Sequence, residues 1–131
     1  MGRVSGVRVV PLEDVPPIAL PGGSWSRILL SGKQVSSSSA LGFSSFAART
    51  STAMLSHETE ELAYVLTGVG ELRLDDESVP YQAGSALFIP ARVWHAVANT
   101  GDEPVTMVFA FPHPDYPPTR RRAQEGPSAT R

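Results

Sequence analysis

Short apolar runs separated by proline, glycine and small polar residues make up most of the chain, a texture that favours strands over long helices. Residues 7–10 form a brief β-branched run, and Pro11, Pro16, Pro17, Pro21, Gly22 and Gly23 then make an irregular connection. Residues 25–30 read as a strand, 36–39 as a polar loop, and 41–48 and 52–57 as extended stretches. A run at 62–67 ends at Gly68, and 71–74 and 78–82 flank Asp75-Asp76-Glu77, a hairpin signal with turn-forming aspartates. The apolar run 86–89 stops at Pro90, residues 95–99 alternate in type before a turn at 99–102, and 105–111 is the last strand before Pro112.

One segment points both ways. Residues 57–66 (HETEELAYVL) are rich in helix formers, and Gly68 could close a helix. The short strands spaced about ten residues apart in the rest of the chain argue for a strand there too. The expected class is therefore all-β. The expected layout is an N-terminal strand and Pro/Gly-rich arm at 1–24, a body at 25–116, and a basic, mobile tail at 117–131.

Composition narrows the function classes. The 131 residues suit a single domain, and a hydrophobic fraction of 41% is ordinary for a globular protein. A net charge of -2 without a clustered basic excess argues against nucleic acid and membrane surfaces as partners, even with Arg120, Arg121 and Arg122 in a row. With no cysteine, disulfides, thiolate metal sites and cysteine nucleophiles are excluded. The start, MGRVSGVRVV, lacks a signal peptide's apolar centre, and no run approaches the ~20 residues of a membrane helix, so a cytoplasmic protein is expected.

His57, Glu61 and His95 stand out as candidate metal ligands. On one straight strand His57 and Glu61 would lie ~13 Å apart, too far to share an ion. A turn at Glu58-Thr59-Glu60 would instead let His57 end one strand and Glu61 open its antiparallel neighbour about 5 Å away, with His95 opening a further strand. Spacing alone leaves open that both histidines are ordinary polar residues.

The segment LSHETEELAYVLTG resembles the first cupin motif, G-x5-H-x-H-x3,4-E-x6-G, and GSALFIPARVWHAVAN resembles the second, G-x5-P-x-G-x2-H-x3-N. Six residues separate Glu61 from Gly68, five separate Gly84 from Pro90, and fifteen separate Gly68 from Gly84. The resemblance implies a single-domain cupin β-barrel, or jelly roll, with a metal held by His57, Glu61 and His95. It also shows departures. Leu55 stands at the motif's first histidine, Arg49 at its leading glycine and Arg92 at the glycine of P-x-G, where a positive φ would strain an arginine. The family's usual three histidines and one glutamate are thus reduced to two histidines and one carboxylate, a set that suits Fe(II), with Zn, Mn or Ni as other candidates.

Around that site, Leu55, Met107 and Phe109 are candidate pocket walls for a largely carbon substrate, although Leu55 can equally be packing. Arg49 either reaches the barrel mouth to hold an anion or is a solvated loop residue. Tyr64, Phe88 and Trp94 read as core or dimer contacts, Asn99 as structural and His113 as exposed. The resemblance implies a homodimer, with residues 7–10 as an edge to pair across subunits. Cupin relatives include dioxygenases, isomerases, decarboxylases, lyases and polyketide cyclases, and the Ala, Gly, Arg and Val bias resembles high-GC bacteria, where stand-alone cupins often serve secondary metabolism. The leading expectation is a metal-dependent enzyme on a small organic molecule. A non-catalytic binding or sensing module and a metal-free acid/base isomerase are the alternatives.

Overall fold

Every second side chain of Ala40–Phe46 and of Val105–Phe111 is buried, the two-residue period of strands with one face on a core. In the computed structural model, which describes residues 6–122, the strands run in chain order as β1 (Ile18–Ala19), β2 (Trp25–Leu30), β3 (Ala40–Phe46), β4 (Leu55–His57), β5 (Glu61–Thr67), β6 (Val69–Arg73), β7 (Ser78–Gln82), β8 (Ala86–Ile89), β9 (Ala96–Asn99), β10 (Val105–Phe111) and β11 (Thr119–Arg121). A single helical turn, α1 (Gly32–Val35), is capped by the Ser31 side chain. The class is all-β, and all the strand pairing is antiparallel.

The strands form a six-stranded sheet (β1-β2-β3-β10-β5-β8), a three-stranded sheet (β7-β6-β9) and a two-stranded ribbon (β11-β4). Ala63, Val65, Ile89, Met107, Phe109 and Phe111 of the larger sheet bury against Leu72 and Tyr81 of the smaller one in a shared core. This is the layered packing of a jelly roll. A Cβ at position 42 would overlap the Phe109 ring, so Gly42 is what lets that ring lie flat on β3.

The ambiguous segment 57–66 is not helical, as the all-β reading expects: β5 is paired on one side with β10 and on the other with β8, and those ladders outweigh local helix propensity. Two expectations change. Residues 7–10 form no strand, and the arm contributes β1 instead, paired to β2. The segment after Pro117 is not wholly a tail, since Pro117 is fully buried and residues 119–121 are β11. The rest of the expected tail, 123–131, lies outside the described residues.

Candidate metal centre

His57 closes β4 and Glu61 opens β5, with a bend at residues 58–59 between them. The spacing predicts antiparallel ladder neighbours, but the two strands do not pair with each other. β4 pairs with β11, whereas β5 lies in the six-stranded sheet, so the bend is a corner at which the chain changes sheet. The Arg92 amide donates to the His57 carbonyl at 2.7 Å and fixes that corner to the loop before His95. His95 forms a two-way backbone bridge with Leu55, its amide donating to the Leu55 carbonyl at 2.9 Å and its carbonyl accepting from the Leu55 amide at 2.7 Å. Directly opposed residues project to one face, and so do residues two apart on a strand. His57, His95 and Leu55 therefore share a face.

The three candidate ligands converge. His57 Nε2 lies 3.3 Å from Glu61 Oε1 and His95 Nε2 lies 3.7 Å from the same oxygen. All three donor atoms fall within 4.8 Å of one another. The histidine side chains are only 4% and 2% exposed and that of Glu61 14%.

Each imidazole has a hydrogen-bond partner at its far nitrogen. His95 Nδ1 lies 3.0 Å from the Val93 carbonyl oxygen, which can only accept. Burial also pulls the His95 pKa below the ordinary value for histidine, against the opposite pull of that carbonyl and of Glu61, and so favours the neutral ring. His57 Nδ1 lies 2.7 Å from Thr119 Oγ1, whose own proton is donated to the Pro117 carbonyl at 2.9 Å. A neutral ring whose proton sits on that far nitrogen presents an Nε2 lone pair to the carboxylate oxygen. Three acceptors facing one another in a buried space repel unless a cation lies between them. Metal–nitrogen bonds of about 2.0–2.1 Å place two ligands on one ion ~3–3.5 Å apart, so the donor set fits one divalent metal.

Aromatic rings wall the site. Phe111 meets the His57 ring edge-on at 5.0 Å between centroids, and Tyr116 meets it at 5.5 Å and Phe111 at 5.3 Å. Burial, and secondarily the Glu61 charge, raises the Tyr116 phenol above its usual pKa and keeps it neutral. Phe109 packs against Phe111 at 5.7 Å, and Met107 is buried two positions further along β10. Phe111, Tyr116 and Thr119 were missed in the sequence. Phe111 continues the alternation of Met107 and Phe109, which could have found it. Tyr116 and Thr119 carry no local signal.

Arg49 lies apart. Its guanidinium pairs with Asp102 at 2.8 Å on the surface, both side chains largely exposed, beside the turn that follows Asn99 at the far end of β9 from His95. Arg49 and Arg92 both adopt φ 63, so the glycine conformation persists at both positions without the glycine. Asn99 is buried, donating to the Phe46 and Glu103 carbonyls and accepting from the Gly101 amide, which is the structural role expected. His113 is half-buried, its Nδ1 2.7 Å from the Asp115 carbonyl oxygen. No helix of the described residues is long and apolar enough to cross a membrane.

The family model for the cupin domain matches residues 42–111. Protein SchB of Streptomyces halstedii is 33% identical over 115 residues, covering 82% of this chain and 82% of SchB. Polyketide synthase CurC of Streptomyces cyaneus is 35% identical over 106 residues, covering 78% of this chain and 67% of CurC. Among solved structures, the polyketide cyclase RemF of Streptomyces resistomycificus superposes with a TM-score of 0.77 at 22% identity, covering 91% of this chain and 87% of RemF. Oxalate decarboxylase of Bacillus subtilis, a protein with Mn(II) centres, superposes with a TM-score of 0.75 at 23% identity, covering 84% of this chain and 30% of that one.

Proposed function

The chain belongs to the cupin family, and from that premise we propose that it is a metal-dependent enzyme of secondary metabolism, acting on a small, carbon-rich, polyketide-like substrate in isomerase or cyclase chemistry. The observation that carries the reading is the convergence of two imidazole lone pairs and a carboxylate oxygen at a buried point with no hydrogen-bond donor of their own between them. The names of CurC and RemF support the polyketide class.

His57, His95 and Glu61 would hold the ion, and two histidines with one carboxylate suit Fe(II), with Mn, Ni or Zn as the other candidates. Bound there, the metal would supply a Lewis acid for a carbonyl or enol oxygen. Leu55, Phe109, Met107 and Phe111 would form the apolar wall against which the substrate's carbon skeleton lies, and the neutral Tyr116 phenol would present a donor beside it. Protein purified without chelators and titrated with Fe(II), Mn(II), Ni(II) and Zn(II) should take up about one ion per chain, measured by elemental analysis. His57→Ala and His95→Ala should each lose that ion. Background metal content in the wild type under every condition would overturn the reading.

A second reading is favoured by the 3.3 Å approach of His57 to Glu61: a proton shared by that pair in a metal-free acid/base isomerase. Turnover that survives a chelator would select it. The protein is also proposed to act as a homodimer.

A further inference from the structure

We propose that Thr119 is a positioning residue that fixes which nitrogen of His57 faces the metal, an inference that rests on the metal reading above. Thr119 is the direct cross-strand partner of His57 in the β4–β11 ribbon, 62 residues later in the chain. Its hydroxyl proton goes to the Pro117 carbonyl at 2.9 Å, leaving Oγ1 an acceptor 2.7 Å from His57 Nδ1. With that proton on the Pro117 carbonyl, and with the Tyr116 phenol also hydrogen-bonded to the Thr119 hydroxyl, Oγ1 accepts from Nδ1–H, the tautomer that leaves Nε2 unprotonated toward Glu61.

The two histidines differ in how they are held. His95 is oriented by the backbone carbonyl of Val93, which no side-chain substitution removes. His57 depends on a side chain. Phe111 and Tyr116 restrain the place of its ring through aromatic edges, but an aromatic edge does not choose a tautomer. The Thr119 hydroxyl therefore controls one of the two nitrogen ligands from outside the cupin match, which ends at residue 111.

The test compares wild type with Thr119→Val, which keeps the β-branched shape and removes the hydroxyl, and Thr119→Ser, which restores the hydroxyl. Long-range proton–nitrogen correlation spectra of the metal-free, 15N-labelled proteins report the tautomer directly. Competition titration with Zn(II) reports affinity. His57 is expected as the Nδ1–H tautomer in wild type and Thr119→Ser, and as a mixture or the Nε2–H form in Thr119→Val. Zn(II) affinity should fall about 10–100-fold in Thr119→Val and return in Thr119→Ser. An unchanged Nδ1–H tautomer in Thr119→Val overturns the inference, whatever the metal does. A wild type that binds no Zn(II) overturns the metal reading instead, and the tautomer comparison still decides the role of Thr119.

Discussion

Position 55 offers the most direct way to alter the proposed centre. Leu55 is bridged backbone to backbone with His95 and lies two residues before His57 on the same strand face. A histidine there would join both ligands on that face and bring the donor set to the three histidines and one glutamate that the cupin motif describes. Leu55→His should therefore raise divalent-metal affinity at least about tenfold, one more imidazole ligand being added to the same ion, as read by competition titration with Zn(II) and Mn(II). An unchanged affinity would mean that the side chain at 55 points away from the ion. At this scale the sequence was most informative where residues carry their own chemistry. His57, Glu61 and His95 were visible as ligand types at family spacing and do converge. Thr119 and Tyr116 were not, because a hydroxyl or phenol gains its meaning here only by lying against His57 after long-range folding. Arg49 admits two readings in sequence, an anion ligand at the barrel mouth or a solvated loop residue, and it lies exposed on the surface. Its charge made it a candidate anion ligand, but nothing local shows that Asp102 waits beside it.

At the scale of elements, cross-strand contacts decide what propensity leaves open. Residues 57–66 carry helix formers, but their inward side chains, Ala63 and Val65, complete the core only when β5 lies between β10 and β8. The strand boundaries were readable to within a few residues from proline and glycine breaks. The partners were not, so β4 was expected to pair with β5 across a tight turn, and the segment that forms β11 was read as a tail. Tyr81 shows how one side chain locks three strands. It reaches from β7 over Gly70 of β6 and donates to the Ala98 carbonyl of β9 at 2.8 Å, a path that any side chain at position 70 would block. Burial, with a smaller contribution from the Glu71 charge, raises the Tyr81 pKa well above the ordinary value for tyrosine. The unfolded chain would lose that proton near 10 while the folded chain keeps it, so this stabilisation is complete below pH 10 and is lost as pH rises toward the folded value. Denaturant midpoints measured from about pH 8 to pH 11 should fall more steeply for wild type than for Tyr81→Phe. At neutral pH the variant should be less stable by about 1 kcal/mol for the lost hydrogen bond. Equal alkaline slopes would show that Tyr81 is not held neutral.

The whole molecule leaves an apolar face uncovered. Leu62, Tyr64 and Leu66 on the outward side of β5, and Phe88 opposite Leu62 on β8, are 44–61% exposed. They adjoin one another on the six-stranded sheet, and a contiguous apolar patch of this kind marks an interface more often than a solvated surface. Tyr64 and Phe88 were expected as core or dimer contacts, and their exposure in the single chain favours the second. Because β8 closes one end of the sheet order, a second copy could cover the same strands around a two-fold axis. Sedimentation velocity should show a dimer for wild type and a shift to monomer for Leu62→Glu combined with Phe88→Glu. A wild-type monomer at micromolar concentration would refute this arrangement.

The ribbon that joins β4 to β11 has a consequence for biosynthesis. During translation, all three candidate ligands leave the ribosome well before the hydroxyl that orients the first of them. A nascent chain paused shortly after β10 could already assemble most of its sheets, yet it would hold its metal with one imidazole free to present either nitrogen. If the site holds an ion as proposed, its secure capture waits for the arrival of a stretch that looks expendable when read as sequence alone.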